Sequence, residues 1–194
     1  VKKAEELAAE HGWFLARQFE NPSNPEYHAS TTGPEILRDF AGRRLDFWVT
    51  GYGTGGTMSG AGRTIKAARP EVTIVATEPA GAALLKGDDW NPHKIQGWTP
   101  DFIPGVLDRG IFDELMTVTD ERAIEVSREL AAKEGIFTGI SAGATLATAL
   151  DVAKTASDGS VILAMLPDTG ERYLSTPLFE GVEEGSDDVW LAAL

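Results

Sequence analysis

The sequence predicts an α/β protein: a doubly wound parallel sheet with helices on both faces. Three observations carry that prediction. Short, predominantly apolar runs such as Leu45–Thr50, Val72–Thr77 and Val161–Leu166 read as strands buried on both sides. They alternate with segments of helical periodicity, the pattern of strand–helix–strand units. Two glycine-rich turns, at 51–62 and 139–143, each lead from a strand into a helix, and in such sheets ligands bind beyond the carboxyl ends of the strands.

Taken in order, residues 2–11 read as a helix stopped by Gly12, and Trp13–Phe19 as a short strand. Asn21-Pro22-Ser23-Asn24-Pro25 reads as a loop. Thr32-Gly33-Pro34-Glu35 has the form of a capping box, with Thr32 at the N-cap and Glu35 three residues on. The strand Leu45–Thr50 runs into the first glycine turn, and a helix continues to Arg69, where Pro70 opposes extension. After the strand Val72–Thr77, residues 79–105 carry Pro, Gly and Trp without period and read mostly as loop. Leu115–Val118 is a further strand. Asp120–Glu134 is a helix with Ala123, Val126, Leu130 and Ala131 on one face, acids in its first turn and Gly135 at its C-terminal stop. Ile136–Thr138 reads as a brief strand, residues 142–154 as a helix and Val161–Leu166 as the last strand.

Composition narrows the chemistry. With 194 residues the chain can bury a real core, and no apolar run reaches the ~20 residues that span a bilayer. There is no cysteine, so disulfides, thiolate nucleophiles and cysteine-ligated zinc are excluded. His11, His28 and His93 are too scattered to suggest a metal cluster. A net charge of −13 disfavours nucleic acid, whose phosphates need a basic face. Glu180, Glu183, Glu184, Asp187 and Asp188 mark residues 181–194 as an acidic, solvated tail. Helical pattern already begins at Lys2 without an initiator methionine or signal peptide, so the chain reads as starting inside a structure.

The first glycine turn, Gly51-Tyr52-Gly53-Thr54-Gly55-Gly56-Thr57-Met58-Ser59-Gly60, has the makings of a phosphate cradle. Glycine lets the backbone approach an anion closely, the following helix adds its N-terminal dipole, and Thr54 and Thr57 add hydroxyl donors. The same stretch matches G-x-G-x-x-G at Gly51, Gly53 and Gly56, with Glu78 ending the next strand where a ribose-binding carboxylate would lie. Dinucleotide binding is therefore an alternative on spacing alone. The second turn, Gly139-Ile140-Ser141-Ala142-Gly143, matches the nucleophile elbow of α/β hydrolases. Those enzymes place their histidine after the serine, and here all three histidines precede Ser141, which makes Ser141 a hydrogen-bond donor at a helix start instead.

Six ordered segments then carry a resemblance. They are Gln18-Phe19-Glu20-Asn21-Pro22-Ser23-Asn24-Pro25, Thr31-Thr32-Gly33-Pro34-Glu35, Gly53-Thr54-Gly55-Gly56-Thr57, His93-Lys94-Ile95-Gln96-Gly97, Gly139-Ile140-Ser141-Ala142-Gly143 and Gly170-Glu171-Arg172-Tyr173-Leu174-Ser175-Thr176. Together they resemble the cysteine synthases (O-acetylserine sulfhydrylases), pyridoxal-phosphate enzymes of fold type II related to cystathionine β-synthase, from about residue 4 to 180. The resemblance implies pyridoxal phosphate as cofactor, with its phosphate on Gly53, Thr54, Gly55, Gly56 and Thr57 and its pyridine nitrogen facing the Ser141 hydroxyl. A serine there leaves the ring nitrogen largely neutral, which suits β-elimination and replacement. Gln18 and Gly97 match substrate-side positions.

The implied reaction makes L-cysteine from O-acetyl-L-serine and sulfide: acetate leaves the β-carbon and sulfide takes its place. The resemblance also implies a homodimer, a serine acetyltransferase partner, and a cytoplasmic or plastid-stroma location. Departures shape the reading as much. The family's Schiff-base lysine sits in a Ser-x-Lys-Asp-Arg-like segment, and none occurs here; nor does the family's substrate-binding Thr/Ser-Gly-Asn loop. The chain therefore reads as the C-terminal three-fifths of such an enzyme, with no catalytic residue of its own. Residues 1–22 would be the tail of a smaller domain, 23–180 the cofactor-binding domain and 181–194 the acidic tail. A catalytically inactive relative with a binding or structural role is the alternative. Trp98-Thr99-Pro100-Asp101 stand where many members carry small residues, which predicts that Trp98 narrows or reshapes the substrate entrance.

Overall fold

The computed structural model describes residues 1–182 and 191–192, so most of the acidic stretch 181–194 lies outside the described residues. The elements are α1 (Lys2–His11), α2 (Ser23–Ser30), α3 (Thr32–Asp39), β1 (Phe47–Gly51), α4 (Gly56–Ala68), β2 (Thr73–Pro79), β3 (Glu114–Val118), α5 (Asp120–Glu134), α6 (Ile140–Thr155) and β4 (Ile162–Ala164), followed by two short 3-10 turns.

Among the described residues the strands form one parallel sheet in the order β3-β2-β1-β4. Alternate residues of each strand face opposite sides. Trp48 and Ile74 pack with Ala61 and Ile65 of α4 and with Ile36 and Phe40 on one side. Their neighbours Val49 and Val75 pack with Ala149 and Val152 of α6 on the other. Because β1 pairs with β2 on one edge and with the last strand on the other, the winding reverses beside β1. A crevice opens there, at the carboxyl ends of β1 and β4.

Local chemistry explains the boundaries. α5 spans the expected residues: Thr119 accepts from Arg122 N at its start, and Gly135, at φ 69°, closes its end with its N–H on Ala131 O. Four expectations change. Asn21–Pro25 is not simply loop, because α2 begins at Ser23 and carries Pro25 in its first turn, where a missing N–H is harmless. Trp13–Phe19 forms no strand: Arg17 sits at φ 50°, and a lone extended segment has no ladder partner here. Ile136–Thr138 reduces to one bridge, Thr138 to Thr169, since only four residues, 136–139, lie between the Gly135 stop and the start of α6 at Ile140. The capping box at Thr32 does not form. Thr31 holds the N-cap position, and its hydroxyl donates back to Tyr27 O while the Thr32 hydroxyl meets the His28 ring.

Candidate active site

The crevice is a cleft of about 420 Å³. Thr50 and Gly51 at the end of β1 form its floor, Gly53, Thr54 and Thr57 one side, and Ser141 and Thr145 of α6 the other. Met165, Pro167 and Asp168, just past β4, Gln96 to Trp98, Tyr173, and His28 and Thr32 of α2 and α3 complete the wall. No lysine or arginine lines it among the described residues, so what this chain itself offers an anion there is neutral donors and a helix dipole.

The glycine turn supplies such donors. Gly55 takes φ 84° and serves as N-cap of α4, so the start of the helix faces outward beyond β1, with the Gly56 N–H donating to Thr54 Oγ1 at 3.1 Å. At Gly53 the backbone meets another loop: a Cβ there would come within 2.1 Å of Gly97 O. That close approach joins the phosphate-type turn to the Gln96–Trp98 segment. The segment itself is pinned by Thr99, whose N–H donates to Tyr52 O at 2.9 Å and whose carbonyl accepts from Trp90 Nε1 at 2.9 Å.

Two residues of α2 that periodicity did not single out act here: His28, which lines the cleft, and Asn24, which reaches it through Thr54. A Cβ on Gly56 would stand 1.9 Å from Asn24 Oδ1, and one on Gly60 would stand 2.0 Å from Pro25 O. The two glycines, one turn apart on α4, thus form a groove in which α2 lies. Asn24 and His28, one turn apart on α2, then reach the two threonines. Asn24 Nδ2 donates to Thr54 Oγ1 at 2.9 Å, and His28 Nε2 lies 3.2 Å from Thr57 Oγ1. The signal for them was present as Asn24 and His28 at i, i+4, matched by Gly56 and Gly60 at the same spacing.

The structure brings Gly53, Thr54, Thr57, Gly97 and Ser141 to one cleft; Gly55 and Gly56 shape its turn without lining it. Gln18 lies elsewhere, in a neighbouring groove with Arg17, Phe19 and Phe102, and its carbonyl accepts from Asn24 Nδ2. Trp98 is 9% exposed, packs among Ile95, Val118 and Ile140, and lines the cleft. Glu78 is fully buried and accepts from Tyr52 Oη, Leu85 N and Lys86 N. It fastens a loop from inside the core and does not line the cleft, so the dinucleotide reading loses its ribose ligand.

Beside Ser141, Tyr173 donates to Asp168 Oδ2. Burial, then the adjacent carboxylate, pushes the Tyr173 phenol up to about 12, which keeps it a donor. Asp168 Oδ1 is buried without a protein partner, an acceptor left for a bound molecule. A phosphorylated ring fits this set: two hydroxyls and a helix N-terminus at one end, a buried serine hydroxyl and a carboxylate oxygen at the other. The seven lysines of the chain all lie outside the cleft; Lys66, for one, pairs with Asp113 at 2.7 Å at the far end of α4.

Comparison with known proteins follows the same line. The chain is 62% identical to O-ureido-L-serine synthase of Streptomyces lavendulae over 98% of its length and 59% of that protein's. It is 48% identical to cysteine synthase of Staphylococcus aureus over 92% of its length and 58% of that protein's. Among solved structures, O-ureido-L-serine synthase with O-ureido-L-serine bound superimposes with a TM-score of 0.94, covering 98% of this chain and 59% of that one at 62% identity. Cysteine synthase from Entamoeba histolytica gives 0.87 at 32% identity, covering 99% and 57%. The chain thus spans about three-fifths of the length of the relatives it matches. A family model described as pyridoxal-phosphate dependent enzyme matches residues 1–168, and with it the parallel sheet, the cleft and the relatives agree that this chain belongs to that family.

Proposed function

We propose that this chain carries the phosphate and ring-nitrogen side of a pyridoxal-phosphate site that replaces the β-substituent of an O-activated L-serine. The observation that carries the reading is the single cleft at the switch of the sheet, where Thr54, Thr57 and Ser141 converge as neutral donors. In this reading the α4 N-terminus and the two threonines hold the phosphate through charge-assisted hydrogen bonds. Ser141 donates to the ring nitrogen, Gly97 leaves room for substrate, and Trp98 closes one wall against water. The bound cofactor supplies the electron sink that stabilises charge at the substrate α-carbon.

For the incoming nucleophile we favour the hydroxyl oxygen of hydroxyurea, giving O-ureido-L-serine, because the 62% relative carries that product in its name. Sulfide, giving L-cysteine from O-acetyl-L-serine, is the second reading, supported by the six ordered motifs and by the 48% relative. A homodimer, a serine acetyltransferase partner and a cytoplasmic setting belong to this second reading; the two curated relatives are bacterial and give the plastid alternative no support. We read residues 1–22 as the edge of a separate unit, in keeping with α1, which buries none of its residues, and with Phe14 at 90% exposure.

The test is a chimera in which the N-terminal portion of the Streptomyces relative precedes this chain. With O-acetyl-L-serine and either hydroxyurea or sulfide, mass analysis should find O-ureido-L-serine as the faster product. Faster cysteine formation would select the second reading. A chimera that binds the cofactor but turns over neither would point to the inactive, binding-only alternative.

A further inference from the structure

Two residues in the left-handed region flank Trp98. Gly97 takes φ 85°, which costs glycine little, and Thr99 takes φ 34°, which a β-branched residue rarely adopts. Three hydrogen bonds hold the Thr99 backbone there. Its N–H donates to Tyr52 O, and its carbonyl accepts from Trp90 Nε1 and, at 3.2 Å, from His93 Nε2. The Thr99 hydroxyl is buried without a partner, so no side-chain bond offsets the strain. Strain of this kind persists only where the surrounding structure fixes it, and it concentrates at functional sites.

What the two bends fix is the Trp98 indole, which lines the cleft and packs with Ile95, Val118 and Ile140. Three atoms of its six-membered ring, Cε2, Cζ2 and Cη2, lie within 2.4 Å of where a Cβ on Gly51 would stand. The ring therefore rests on bare backbone at the cleft floor. Nε1 is bonded to Cε2, so the indole N–H lies near that floor too.

The two candidate nucleophiles differ in what such a surface recognises. Sulfide is a single heavy atom and an anion once ionised, and among the described residues no lysine or arginine of this chain lines the cleft to select it by charge. Hydroxyurea is neutral and planar, with a carbonyl oxygen that accepts hydrogen bonds. A flat ring gains many dispersion contacts with a planar group and few with one atom. The indole N–H is donor only, which suits that carbonyl.

We propose that Trp98 is specificity-determining for the nucleophile: its indole, fixed between Gly97 and Thr99 and seated on Gly51, is the platform for the planar carbamoyl group of a hydroxyurea-type nucleophile and gives it preference over sulfide. This rests on the reading of the cleft as a β-replacement site for an O-activated L-serine.

The experiment uses the chimera with the N-terminal portion of the Streptomyces relative, loaded with pyridoxal phosphate and given O-acetyl-L-serine with hydroxyurea, with sulfide, or with both. Trp98→Leu keeps an apolar side chain and removes the flat ring. It should lower kcat/KM for hydroxyurea about tenfold more than for sulfide, chiefly through KM. With both nucleophiles present, the product ratio should move toward cysteine by the same factor. Trp98→Phe, flat but without the N–H, should lose only about threefold of the preference. Cofactor absorbance, read without turnover, should match the unsubstituted chimera in both variants.

Equal losses for the two nucleophiles, or an unchanged product ratio in Trp98→Leu, would overturn the role of Trp98 while leaving the β-replacement reading intact. So would loss of cofactor absorbance in both variants, which would assign the indole to the cofactor. An unsubstituted chimera that makes cysteine faster leaves no preference for Trp98 to create and overturns it as well. One that binds the cofactor and makes neither product would remove the β-replacement reading itself, and this role with it.

Discussion

Trp98 occupies the space that a side chain at residue 51 would need: a Cβ built on Gly51 falls 2.0 Å from Trp98 Cζ2 and 2.2 Å from Cε2. The glycine at the end of β1 and the tryptophan of the cleft wall are therefore one packing unit. Gly51→Ala should destabilise the fold by about 1–3 kcal/mol, the usual range for overpacking, and Trp98→Leu should relieve most of it in the double variant. Thermal unfolding of the four proteins checks this. Simple addition of the two penalties would show that the indole does not fill the site of the missing side chain.

Ser141 is 3% exposed at the start of α6 and lines the cleft. Ser141→Ala should shift the absorbance of added pyridoxal phosphate and weaken its binding by less than about tenfold, the loss of one neutral hydrogen bond of about 0.5–1.5 kcal/mol. Ser141→Asp should weaken binding further, since it buries a second carboxylate near Asp168. Covalent labelling of Ser141 by a serine-hydrolase probe would contradict its role as a simple donor.

Glu78 holds three donors from inside the core, at 3.1 Å from Tyr52 Oη, 3.0 Å from Leu85 N and 3.1 Å from Lys86 N. Glu78→Gln turns one acceptor into a donor that faces a backbone N–H, and should lower stability by roughly 1–3 kcal/mol. Denaturant unfolding measures it. Any saturable binding of a nicotinamide dinucleotide by wild type and its loss in the variant would revive the ribose-ligand role that the structure denies to Glu78.

Asp46 joins the start of β1 to the start of the last strand, accepting from Val161 N at 2.7 Å and from Arg44 Nε at 2.6 Å. The Val161 N–H, and after it Arg44, hold its pKa below the ordinary 3.8. The folded value is depressed, so the stabilisation is complete above 3.8 and fades as pH falls below it through the folded pKa. Asp46→Asn should lower stability at neutral pH and flatten the acid limb of the stability curve in that window. An unchanged slope between wild type and variant would place the acid sensitivity elsewhere.

Periodicity and turn chemistry were enough for much of this molecule. The alternation of Trp48 and Val49, and of Ile74 and Val75, specifies a strand buried on both faces, because successive side chains must point to opposite sides. Thr119, Asp120 and Gly135 set α5 to the residue, since its caps are satisfied within the helix and its flanks. Gly53, Thr54, Thr57 and Ser141 were legible as neighbours of one site for the same reason, since each belongs to a local turn between a strand and a helix, and all four line the cleft.

What tertiary structure decided involves partners distant in sequence. Glu78 looked like a ribose ligand on spacing and became an internal fastener, because Tyr52 and the 85–86 backbone fold over it. Trp98 reaches the cleft lining because Gly51, nearly fifty residues earlier, leaves its indole room. The i, i+4 spacing of Asn24 and His28 shows only that they share a helix face; the approach of α2 to Gly56 and Gly60, some thirty residues away, is what puts the imidazole between two threonines. Local sequence determines which groups are offered, since backbone hydrogen bonds and side-chain alternation act within a few residues. Which of them meet is set by close packing between elements, and that depends on the whole fold.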